Sequence, residues 1–147
     1  MRHRYEIHTT LSALPMFRNC NRKQLDQIAS ITDQVEVAAG HVLCREGGRG
    51  RECFIIVRGQ ADVTLAGVHL ATVGAGETVG EMALLDGGRR SATVTTTTPT
   101  VVLVIEGLRF EALVNAVPAV SQAVVRALSG RLREQDESTT VPRAAAS

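Results

Sequence analysis

Apolar and polar positions change period twice along the chain. Leu25, Ile28 and Ala29 recur at helical spacing, and Asn21 followed three residues later by Gln24 has the form of a capping box. A helix is therefore predicted from about Arg22 to Thr32. From Val35 to Ile105 the pattern becomes short apolar, β-branched runs cut by Gly40, Gly47, Gly59, Gly67, Gly74, Gly76 and Gly80. The runs HVLC, CFIIV, ADVTL, HLATV, SATVTT and VVLVI read as strands, and so many at close intervals predict a barrel, sandwich or roll. Ala66-Gly67 fits a tight hairpin turn between ADVTL and HLATV. After Gly107 the helical period returns. A short helix is predicted from Leu108 to Asn115. Pro118 then opens a second one running to about Gln135, with Val120, Val124, Leu128 and Leu132 on one stripe. Gly130 within it costs about 1 kcal/mol against alanine and reads as tolerated.

Composition narrows the class without naming it. The 147 residues suffice for one domain with a proper core, and 44% apolar content suits a soluble fold. No apolar run is long enough to span a bilayer, and the N-terminus has no continuous apolar stretch of the secretory kind. A net charge of +1 gives no general reason to expect nucleic acid or an anionic membrane as partner. Cys20, Cys44 and Cys53 are odd in number and lack C-x-x-C spacing, so they read as small buried hydrophobes in a reducing, cytoplasmic setting. His3, His8, His41 and His69 lack metal-ligand spacing, which weighs against a metal-binding cupin. No G-x-S-x-G, Cys/His pairing or Walker loop occurs, so no covalent chemistry is expected. Arg49, Arg51, Arg131 and Arg133 read as solvated surface. The domain is expected over residues 11–135, with residues 1–10 and 136–147 as flexible termini.

Candidate chemistry gathers in residues 79–94, V-G-E-M-A-L-L-D-G-G-R-R-S-A-T-V. Gly80 permits close backbone approach or an unusual dihedral. Glu81 opens a Met82-Ala83-Leu84-Leu85 stretch that can form one helical turn, whose free N–H groups suit an anion. Gly87-Gly88 lets the chain reverse and bring Arg90 back beside that turn. A carboxylate and a guanidinium so placed suit a ligand with two faces: a sugar hydroxyl for Glu81, an anionic phosphate for Arg90. Gly74, Gly76 and Gly80 have the wrong spacing for a dinucleotide loop and lack its strand-helix-strand setting.

This segment resembles the phosphate-binding cassette of cyclic nucleotide-binding domains, roughly F-G-E-[LIM]-A-L-L-x-x-x-P-R-[AST]-A. Upstream, AGHVLCREGGRGRECFIIVRGQADV is similar to the same family without a gap, with Gly40, Glu46, Gly47, Phe54, Ile56, Gly59 and Val63 in register. Leu14-Pro15-Met16-Phe17 resembles the family's opening motif. Phe110, Leu113, Pro118, Leu128, Arg131 and Leu132 follow its closing helices, so the resemblance covers about Leu11 to Glu134.

The resemblance implies an α+β, mainly β fold: an eight-stranded β-roll of the jelly-roll type, flanked by an N-terminal helix and two C-terminal helices. It implies that Glu81, with the backbone of Gly80, holds a ribose 2′-hydroxyl. Arg90 pairs with the cyclic phosphate, assisted by backbone N–H groups near Ala83 and Ser91; the Ser91 hydroxyl adds a hydrogen bond to phosphate or base, and Met82 and Ala92 complete the implied ligand-binding residues. Threonine at the Ser91 position favours cGMP in some eukaryotic members and alanine cAMP; bacterial members with a hydroxyl there accept cAMP, which is the expected ligand. Two positions depart from the pattern. Arg89 replaces a proline, which is expected to loosen the turn into Arg90 while leaving its own side chain solvated; the alternative is a second positive charge near the phosphate. Val79 replaces a phenylalanine and removes ring packing. The implied protein is a ligand sensor whose C-terminal helices move on binding, with an effector that these residues do not specify. A DNA-binding helix-turn-helix of the catabolite-activator type has no room in the dozen residues after the last helix. The apolar stripe on that helix allows a homodimer. The alternatives are a ligand-independent interaction module with a degenerate cassette, or the sensor part of a larger regulated protein.

Overall fold

The computed structural model describes residues 2–80, 84, 88–123 and 125–126, with side chains from residue 7 onward. Three helical elements precede the strands: α1 (Arg2–Ser12), a 3-10 turn (Pro15–Phe17) and α2 (Arg22–Ala29). Asn21 caps α2 as the sequence predicts. Its Oδ1 accepts from the Gln24 N–H at 2.9 Å, and Gln24 Oε1 accepts from the Asn21 N–H at 2.8 Å. Removing the Oδ1 acceptor with Asn21→Ala is expected to cost about 1 kcal/mol, lowering Tm by roughly 2–4 °C in calorimetry. A Tm unchanged by the substitution would mean that the cap is idle.

Residues 1–10 were expected as a loose end, yet Arg2–Ser12 is helical. The reason is packing: Ile7 and Leu11 are buried, and burying such a side chain contributes about 1.5–3 kcal/mol. α2 also ends earlier than predicted. Thr32 leaves the helical path to pair with Ile105, while its hydroxyl donates to the Ile28 carbonyl at 2.7 Å and closes the helix end.

Eight strands follow: β1 (Thr32–Val37), β2 (Val42–Cys44), β3 (Glu52–Arg58), β4 (Gln60–Leu65), β5 (Val68–Gly74), β6 (Thr78–Val79), β7 (Thr93–Thr96) and β8 (Thr100–Glu106). They form two four-stranded antiparallel sheets, ordered β1-β8-β3-β6 and β2-β7-β4-β5. The roll expected from the sequence is therefore present. Its hairpin at Ala66-Gly67 is a two-residue turn with both φ angles positive, 51° and 81°, the arrangement that matches strand twist.

The runs CFIIV and VVLVI are continuous because both faces of the first sheet are covered. Cys53 and Ile55 of β3, with Leu103 and Ile105 of β8, meet the helical layer, where Leu11, Phe17, Ile28 and Phe110 are packed. Ile56 and Val102 point the other way, into a second core between the sheets with Ala61, Val63, Val73, Val79 and Val94. After β8 come α3 (Gly107–Ala116) and a further helical segment at residues 118–123 and 125–126. Val120 of that segment is buried in the helical core. Val124, Leu128, Leu132, Gln135 and the Gly130 position lie outside the described residues, as do 136–147.

Candidate functional site

Two segments distant in sequence are zipped together at one end of the roll. Residues 45–52 lead from β2 into β3 through a glycine-rich loop, and residues 88–92 lead into β7. The Arg90 N–H donates to the Gly48 carbonyl at 2.8 Å, and the Gly47 N–H donates to the Arg90 carbonyl at 2.9 Å. Arg49 and Arg89 face each other in an antiparallel bridge. This extended pairing makes successive side chains alternate. Arg89 and Ser91 are exposed, whereas Arg90 turns inward and is only 6% exposed.

The Arg90 guanidinium is held but not saturated. Its Nη2 donates to the Glu52 carbonyl at 2.8 Å, and Glu52 Oε1 stands 3.7 Å away. Nη1 is buried and has no hydrogen-bond partner among the described residues. A charged donor in that state carries an uncompensated desolvation cost. The long contact to a half-exposed carboxylate offsets little of it.

Gly80 forms the adjoining wall. Its φ is +76°, and a Cβ there would collide with Arg90 Nη1 and stand 3.0 Å from the Glu52 carbonyl oxygen. Glycine is thus required both by the dihedral and by the approach of the guanidinium. On the other side, a Cβ on Gly50 would lie 2.9 Å from Nη2. Beneath them sits Cys44, where burial pushes the thiol pKa up, Arg90 pulls it down and Glu52 raises it further. It is a buried free thiol, as expected for this chain.

The predicted residues thus fall into three groups. Gly80 and Arg90 are in direct apposition. Ser91 lies exposed beside them, and Ala92 is buried in the core between the sheets. Glu81, Met82 and Ala83 lie outside the described residues, as do Leu85, Asp86 and Gly87. Leu84 packs in the helical core. Val79, the departure from phenylalanine, is 1% exposed and fills the core between the sheets.

Arg89 behaves differently from the loose turn expected of it. Besides its bridge to Arg49, its Nη1 donates to the Gly47 carbonyl at 2.7 Å. Hydrogen bonds thereby restrain a turn that proline would restrain covalently. Arg51 also departs from a purely solvated reading: its Nη1 donates to Glu111 Oε2 of α3 at 3.0 Å. Glu52 and Gly50 are site residues that sequence reasoning missed. Glu52 is 38 positions from Arg90, and the only local signal was the small residue in G-R-G-R-E.

A pocket of about 270 Å³ lies where Arg51 and Leu84 meet Phe110, Glu111, Val114, Ser121 and Val125. It places Leu84 of the cassette against α3 and the segment after it. Among the described residues no helix is long and apolar enough to cross a membrane.

The architecture is an antiparallel roll flanked by helices, with a buried and incompletely paired arginine beside a glycine wall. The profile of the cyclic nucleotide-binding domain matches residues 34–116, and the chain belongs to that family. It is 33% identical over 114 residues to a cyclic nucleotide-gated potassium channel of Rhizobium etli, covering 78% of this chain and 32% of the channel. It is 30% identical over 129 residues to the cyclic AMP receptor protein of Thermus thermophilus, covering 83% of this chain and 59% of the receptor. The chain thus spans less than two thirds of either relative. Among solved structures, the N-terminal domain of a transcriptional regulator from Streptomyces coelicolor A3(2) superposes with a TM-score of 0.80 at 28% identity, over 91% of this chain and 97% of that one.

Proposed function

We propose that this domain is a regulatory sensor whose ligand is cAMP, bound with its cyclic phosphate on Arg90. The observation that carries the reading is the state of that side chain: buried, with Nη1 unpartnered among the described residues and Gly80 beside it. A cyclic phosphate supplies the missing acceptor, and a guanidinium takes it with more directional strength than an ammonium would. Glu81, with the Gly80 backbone, takes the ribose 2′-hydroxyl. Met82, Ala83, Ser91 and Ala92 contribute backbone N–H groups around the phosphate, and Ser91 adds its hydroxyl. The similarity to a cyclic AMP receptor protein supports cAMP over cGMP.

The output is a shift of the helices after β8. Arg90 hangs from the Glu52 carbonyl, and the neighbouring residue, Arg51, is tied to α3 twice. Its carbonyl accepts from the Gly107 N–H at 2.7 Å, and its guanidinium pairs with Glu111. Movement of this strand end is thus passed to α3, and ligand shifts the equilibrium by its difference in affinity for the two arrangements.

Titrating cAMP and cGMP against the purified domain, with thermal melting as a second readout, tests the reading. At a hundred times its Kd, cAMP is expected to add about 2.7 kcal/mol of stability, raising Tm by roughly 5–10 °C. No shift and no binding at high micromolar nucleotide would favour a ligand-independent interaction module instead.

A further inference from the structure

We infer that Arg45, Arg49 and Arg89 form a cationic entrance that draws the anionic nucleotide toward Arg90 and sets its association rate; this rests on the binding reading above. Three observations carry it. All three side chains are exposed, and among the described residues none of them forms an ion pair. Residues 45–52 and 88–90 contain five arginines against two glutamates, in a chain whose overall charge is only +1. Both glutamates are engaged. Glu46 accepts from the Ala66 N–H and the Thr93 hydroxyl, and Glu52 faces Arg90.

The third observation is the Arg49–Arg89 bridge itself. Like charges directly opposite one another across a strand pair are destabilising. The arrangement also puts two guanidinium groups on the two strands that are zipped around Arg90. Arg89 is restrained by its hydrogen bond to the Gly47 carbonyl, which fixes its charge on the loop paired with the Arg90 strand. Arg90 is buried, so an approaching nucleotide meets the charges of the exposed arginines first. Exposed rim charges of this kind act on association and on salt dependence more than on residence time.

The test uses stopped-flow mixing of a fluorescent cyclic nucleotide with the wild type, the Arg45→Glu/Arg49→Glu variant and the milder Arg45→Gln/Arg49→Gln variant. A charge-matched control, Arg22→Glu/Lys23→Glu, changes two exposed positions on α2, which packs against α1, α3 and β1. At about 10 mM ionic strength, where the Debye length is about 30 Å, the glutamate variant is expected to associate roughly three- to tenfold more slowly. The glutamine variant should show a smaller loss in the same direction. At about 1 M salt, with a Debye length of about 3 Å, the rates should converge. Dissociation rates should stay within about twofold of wild type throughout. An association rate unchanged by either variant, or slowed equally by the α2 control, overturns the entrance alone. Absence of binding by the wild type overturns the binding reading and the entrance together. Melting curves of the variants establish that each is folded before its rate is compared.

Discussion

Arg90→Ala is expected to weaken cyclic nucleotide binding by roughly 30- to 5,000-fold, the equivalent of about 2–5 kcal/mol for truncating one partner of a buried charge pair. The same substitution should change the ligand-free protein much less. Among the described residues the Arg90 side chain makes one good hydrogen bond, to the Glu52 carbonyl at 2.8 Å, while its Nη1 is buried without a partner. Truncation therefore removes a contact and a desolvation cost together, and the two largely offset. The ligand-free Tm should move by only a few degrees, while the increase caused by nucleotide disappears. Arg90→Lys should fall between the two proteins. It keeps the charge but loses the planar fork that can hold Glu52 and a phosphate at once. Isothermal titration of the three proteins with cAMP decides the matter, and wild-type affinity in Arg90→Ala would remove Arg90 from the site.

Gly80→Ala should damage fold and binding together, and through the same atom. The φ of +76° alone costs an alanine about 1–2 kcal/mol. The new Cβ also meets Arg90 Nη1, with the Glu52 carbonyl 3.0 Å away closing the other route. The guanidinium must give way, since backbone cannot. The total loss of stability is expected at about 2–4 kcal/mol, a Tm lower by roughly 5–15 °C. Nucleotide affinity should fall more than tenfold because Arg90 no longer sits where the phosphate arrives. A double-mutant cycle separates the causes. In an Arg90→Ala background the collision is absent, so Gly80→Ala should then cost only the dihedral part, about 1–2 kcal/mol by urea denaturation. Equal penalties in both backgrounds would show that Gly80 does not act through Arg90.

Much of the fold was legible because its signals are local. The capping box of α2, the two-residue turn at Ala66-Gly67 and the apolar strands β3 and β8 each arise from residues within a few positions of one another. β1 was not legible. Its TDQVEV is mostly polar because it is an edge strand in which only Thr32 is buried. α1 was missed for a related reason: Ile7 and Leu11 are too few to form a clear apolar stripe, and their helix is stabilised by the core they meet. Arg89 was misjudged because its restraint comes from Gly47 and Arg49, some 40 positions upstream.

The sequence by itself determined the family and the roll of short strands between helices, and it gathered the candidate chemistry into residues 79–94. These follow from residue type and spacing along one stretch of chain, where glycine dihedrals, β-branched runs and a guanidinium carry their own meaning. Only the tertiary structure decided that Arg90 is buried, that Glu52 and Gly50 frame it, and that Arg49 and Arg89 stand opposite one another in the bridge beside it. Those facts depend on antiparallel pairing between segments about 40 residues apart. Burial, the electrostatic field and hydrogen-bond saturation are properties of that pairing, and no single segment carries them.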